Sequence, residues 1–101
     1  MKACMIAIGV LLVLAVSSTR AWRDGALDTK WDFDCDFYGN DVGRMQTEGE
    51  NCGLQCHYND QCTHFTWRDQ MCYLKRNENY WRANHAPGAV CGFIEGRSKQ
   101  D

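Results

Sequence analysis

Proline occurs once in the 101 residues, at Pro87, and serine occurs only at Ser17, Ser18 and Ser98. There is no Asn-x-Ser/Thr sequon, no internal repeat and no low-complexity tract. The one apolar run, Met5 to Val16, falls well short of the roughly 20 residues that a membrane-spanning helix needs. A near absence of serine leaves little for serine nucleophile chemistry. His57, His64 and His85 sit near no obvious nucleophile in the sequence. A non-catalytic protein without cofactor or metal is therefore expected.

The N-terminus has the layout of a secretion signal. Lys2 forms a short basic region, the apolar run follows, and Ser17, Ser18, Thr19 and Ala21 supply small residues for cleavage. Cleavage is expected after Ser17, Ser18 or Ala21, with residues 1–21 as the leader. The exported chain then keeps nine basic residues against 13 acidic ones, a net charge of −4. Mild acidity argues against nucleic acid or anionic membrane as the main partner. With no second apolar stretch, no membrane insertion is expected after cleavage, and the product is expected to be secreted and extracellular.

Cysteine is plentiful. Cys4 lies in the leader, while Cys35, Cys52, Cys56, Cys62, Cys72 and Cys91 lie beyond it. An even count in a short exported chain reads as three disulfides, and six cysteines allow fifteen connectivities. About eighty residues make only a small core. Each bridge adds roughly 2–4 kcal/mol by restricting the unfolded chain, less for nested loops.

Residues 22–30 read as an N-terminal extension, 31–94 as one domain, and 95–101 as a polar, frayed tail. Trp31 to Phe37 alternates, with Trp31, Phe33, Cys35 and Phe37 expected on one face and Asp32, Asp34 and Asp36 on the other. Tyr38–Asp41 reads as a turn. Thr47 and Glu50 match a capping box for a short helix to about Tyr58, with Cys52 and Cys56 on one side of it. Gly49 and Gly53 each weaken a helix interior by about 1 kcal/mol, so this helix depends on disulfides and packing. Thr63–Trp67 and Met71–Lys75 read as strands joined at Arg68-Asp69-Gln70. Ala86-Pro87-Gly88-Ala89 fits a type II turn, and Val90–Ile94 reads as a closing strand. Phe33, Phe37, Phe65, Trp67 and Phe93 are the expected core aromatics; Tyr38 and Tyr58 border turns. The fold class is α+β, a small antiparallel sheet against one helix.

The ordered set of motifs resembles the PAN/Apple (plasminogen, apple, nematode) family. It comprises Trp31-Asp32-Phe33 through Phe37-Tyr38-Gly39-Asn40-Asp41, and Thr47-x-x-Glu50-x-Cys52-x-x-x-Cys56. Cys62-Thr63-x-Phe65-Thr66-Trp67, Cys72-Tyr73-Leu74-Lys75 and Cys91-Gly92 complete it. The resemblance implies a twisted antiparallel sheet cradling one helix, with bridges Cys35–Cys91, Cys52–Cys72 and Cys56–Cys62. It also implies binding of proteins or carbohydrates without catalysis.

Three site chemistries compete with bland alternatives. Cys56, His57, Cys62 and His64 cluster in sequence, but structural zinc usually takes paired cysteines two to four residues apart and the secretory path oxidises thiols. Asp32-x-Asp34-x-Asp36 opens like a calcium loop. Phe37 then stands where that loop needs glycine, and Gly43 where it needs glutamate, so a solvated strand face explains the spacing better. Arg68, Lys75, Arg76 and Arg82, with Tyr80 and Trp81, form a basic and aromatic stretch in an acidic chain. As a ligand surface, its rings would stack on sugars and its cations would bind hydroxyl or anionic groups. The alternative is a solvated loop with Trp81 packed on a sheet edge.

The expected function is recognition of an extracellular glycan, with an exposed Trp81 as platform. The second reading is an adhesin-, effector- or inhibitor-like module that binds another secreted or surface protein. A membrane-active toxin needs a cationic surface, which a net charge of −4 opposes.

Overall fold

The structure, a computed structural model, describes residues 20–79 and 81–97. Residues 1–19, which make up most of the expected leader, and 98–101 of the tail lie outside the described residues. The elements are β1 (Arg23–Asp24), β2 (Thr29–Asp36), β3 (Asp41–Gln46), α1 (Gly49–His57), β4 (His64–Arg68), β5 (Met71–Lys75) and β6 (Asn84–Ile94). The strands form one antiparallel sheet in the order β1-β2-β6-β4-β5-β3. The fold is α+β, with α1 against one face of the sheet.

The disulfides are Cys35–Cys91, Cys52–Cys72 and Cys56–Cys62. The first joins β2 to β6, the second joins α1 to β5, and the third ties the end of α1 to the segment before β4. Cys56 and Cys62, weighed above as zinc ligands, are bonded to each other. This is the pairing that the resemblance implied.

Two apolar clusters lie on opposite faces of the sheet. On the α1 face, Cys52, Cys56, Phe65, Cys72, Leu74 and Ile94 are buried, with Trp31 and Trp67 packed at the margin. On the other face, Cys35, Phe37, Trp81, Cys91 and Phe93 are buried, with Trp22 against them. The expected single face for Trp31, Phe33, Cys35 and Phe37 is therefore corrected. Between Phe33 and Cys35 the β2–β6 register shifts, and Asp34 takes a left-handed φ of 56°. That bulge turns the strand over, so Trp31 stays on the α1 face while Cys35 and Phe37 go to the opposite one. β6 departs from the ladder at the same place. Pro87-Gly88 makes the excursion, with Gly88 at φ 87°, and the Gly88 N–H donates to the Asp34 carboxylate over 3.0 Å.

Helix α1 begins with Glu48 at its N-cap and no side-chain cap bond, so the expected capping box is absent. Thr47 is held just past the end of β3 by the β4–β5 hairpin instead. Its N–H donates to the Gln70 carbonyl at 2.9 Å and its carbonyl accepts the Trp67 indole N–H at 2.8 Å. Gly53 in α1 and Gly92 in β6 admit close packing. A Cβ on Gly53 would stand 3.2 Å from Phe65 and 3.3 Å from Thr29, tighter than most contacts, and one on Gly92 would collide with the Lys30 carbonyl and the Phe65 ring. Glycine at these positions leaves room for the Phe65 ring.

The far end of α1 is closed by Arg97. Its guanidinium donates to the carbonyls of Cys56 (3.0 Å), His57 (2.6 Å), Asn59 (3.2 Å) and Cys62 (3.2 Å). A cation on the last carbonyls satisfies orphan acceptors and complements the helix dipole. The expected fraying of the tail is corrected as far as Arg97.

Candidate functional site

Among the described residues, those expected to bind ligand do not assemble into one surface. Trp81 is only 7% exposed and is a core residue. Its ring lies edge-on to Phe37 at 4.5 Å and near Phe93 at 5.2 Å, and it stacks on His64 at 5.6 Å. Its indole N–H is buried without a partner among the described residues. The expectation of an exposed Trp81 is corrected: its faces are taken by packing and cannot stack on a sugar.

Lys75 is likewise buried, and its ammonium donates to the Asp41 carboxylate at 2.6 Å and the Gly39 carbonyl at 3.3 Å. Arg76 is engaged by Glu78 at 2.9 Å. Arg68 pairs with Met71 at the hairpin end of β4–β5, whereas Lys75 pairs with His64 at the other end. At about 3.3 Å per residue, their backbone positions stand roughly 13 Å apart along the strands. Arg82 is exposed, and Tyr80 lies outside the described residues.

His64 is buried beside this cluster. Burial pushes its imidazole down to about 4, and the positive charge of Lys75 adds to the effect. The ring is neutral at pH 7, with Nδ1 2.7 Å from the Thr63 hydroxyl. A neutral, packed and hydrogen-bonded histidine here is part of the core.

The more open site is on the α1 face, where a cavity of about 460 Å3 lies between the start of α1 and strands β2 and β4. Trp31, Phe33 and Trp67 form its walls, Phe65 lies deep in it, and Leu54 and Glu50 line it from the helix. The volume is within the range of small-ligand sites. Two walls are fixed by their polar ends: the Trp67 indole is bonded to Thr47 as above, and the Trp31 indole donates to the Asp24 carbonyl at 3.3 Å. Trp31 and Phe33 meet edge-to-face at 4.9 Å. Phe33, expected in the core, is 50% exposed at this rim. The bulge at Asp34 explains why: Phe33 ends the stretch of β2 that faces α1, at a point the nine-residue helix leaves open.

Among the described residues, Glu50 is the only charged one lining the groove. It is exposed, in the first turn of α1, and makes no ion pair or side-chain hydrogen bond among the described residues. A second recess of about 340 Å3, at Asp60, Thr63, Arg76, Glu78 and Arg97, is polar, but both its arginines are already engaged.

Sequence reasoning missed this groove because its members lie far apart in the chain and individually read as core. The available signal was an excess of aromatics on strands flanking a helix too short to cover them. Comparison with protein-family models, curated proteins and solved structures found no match to this chain.

Proposed function

We propose that this chain is a secreted, non-catalytic recognition module of the PAN/Apple kind, which binds another extracellular protein by receiving one of its side chains in the α1-face groove. The observation that carries this reading is the groove itself, with fixed aromatic walls and a half-exposed Phe33. Large aromatics around a concavity are what protein-binding hot spots are made of. The three bridges and the helix-on-sheet arrangement support both the extracellular setting and the family reading.

The protein reading takes precedence over the glycan reading because the groove walls are mainly apolar and the expected sugar platform, Trp81, is buried. The test is selection of a random-peptide phage library on the oxidised protein, with a glycan array run in parallel. Peptides that bind wild type and lose binding in Phe33→Ser support the proposal. Selective glycan binding that survives Phe33→Ser, with no peptide enriched, overturns it.

A further inference from the structure

An aromatic slot with one carboxylate in its lining has a definite chemical preference. Ring faces carry negative electrostatic potential, and the long methylene stems of lysine and arginine pack well on apolar surface while their heads stay polar. A carboxylate near the mouth gives such a head an ion-pair partner, about twice as strong as a neutral hydrogen bond. Among the described residues the groove lining itself holds no cation to pair with Glu50; Arg23 stands beside it, over two of the wall rings. Arg23 shows that these rings accept a cation: its guanidinium carbon lies 4.9 Å from the Phe33 ring centre and 5.5 Å from that of Trp31. Asp32 lies 3.5 Å from the Arg23 Nε and also pairs with Arg20 at 2.9 Å. The chain's formal net charge of −2 favours approach of a basic surface.

We propose that the groove takes an exposed lysine or arginine side chain of the partner protein. The stem lies along Trp31, Phe33 and Trp67, and the charged head meets Glu50. This rests on the reading of the groove as the recognition surface and names the chemistry of what enters it. An acidic or purely aliphatic side chain leaves Glu50 repelled or unused.

The experiment titrates the oxidised protein with Nα-acetyl-lysine amide, Nα-acetyl-arginine amide and the neutral Nα-acetyl-norleucine amide, following the Trp31 and Trp67 indole N–H signals by NMR. Lysine or arginine amide is expected to shift both signals saturably, with norleucine amide at least about ten-fold weaker. Glu50→Gln, a change at an exposed and unpaired position, is expected to bring the basic amides down to the norleucine level with the rest of the spectrum unchanged. Equal binding of norleucine amide, or undiminished binding by Glu50→Gln, overturns the cation claim and leaves the groove reading standing. Silence of both indoles towards all three amides also overturns it, and the peptide selection then decides the groove reading separately.

Discussion

The two faces of the sheet carry similar aromatic weight and use it differently. On the face away from α1, Trp22, Phe37, Trp81 and Phe93 interlock around the Cys35–Cys91 bridge, with centroid separations of 4.5–6.2 Å. On the α1 face, Trp31, Phe33 and Trp67 stand around a cavity and Phe33 is half exposed. The same residue types thus seal one face and leave the other open. The difference arises because a loop carrying Trp81 lies across the first face, whereas a helix of only nine residues covers the second in part.

This contrast is broken most strongly at the sealed face. Replacing Cys35 and Cys91 by alanine releases a loop with a sequence separation of 56 residues. Loop-closure entropy sets the expected loss at about 4 kcal/mol, read as a fall in the urea midpoint. Trp81→Ala is expected to destabilise by about 3 kcal/mol or more, as for other large aromatics removed from a core. A Trp81→Ala protein with unchanged stability contradicts the sealed-face account.

Acid acts on the same face through His64. Its folded-state value of about 4 lies below the ordinary 6.5, so between those values the unfolded chain binds more protons than the folded one. Stability is complete above about pH 6.5 and falls as the pH drops towards 4, by roughly 3 kcal/mol. Urea titrations of wild type and His64→Leu at pH 7.5 and 4.5 measure this: the loss on acidification is expected to be larger in wild type.

The smallest stability effect is expected at the open face. Phe33→Ser removes a half-exposed ring and is expected to change stability by about 1 kcal/mol or less while abolishing peptide binding. A large drop in the thermal midpoint marks Phe33 as a core residue and blurs the distinction between the faces.

Much of the scaffold was legible in the chain. Alternation over Trp31–Phe37 located β2, Phe65 and Trp67 were read on one side of β4, and the six cysteines beyond the expected leader pointed to three bridges. The Arg68–Met71 hairpin closes as expected, with Asp69 and Gln70 both at positive φ, as a two-residue loop requires. What was not legible depended on tertiary pairing. Strand β3, Asp-Val-Gly-Arg-Met-Gln, has little intrinsic strand preference and is held by its ladder to β5. The bulge at Asp34 sits inside a strictly alternating pattern and shows itself only through its partner excursion at Pro87-Gly88. Trp81 sits in a polar stretch that also reads as a ligand loop, and the alternative of a packed Trp81 is the one the fold realises.

The most direct test of the open face as the recognition surface is a chemical-shift map of the oxidised protein with a selected peptide. The account predicts perturbations centred on Trp31, Phe33, Glu50 and Trp67, with the Trp22–Trp81 cluster unmoved. Perturbations centred on the Arg76–Arg82 loop, with the groove silent, would contradict it.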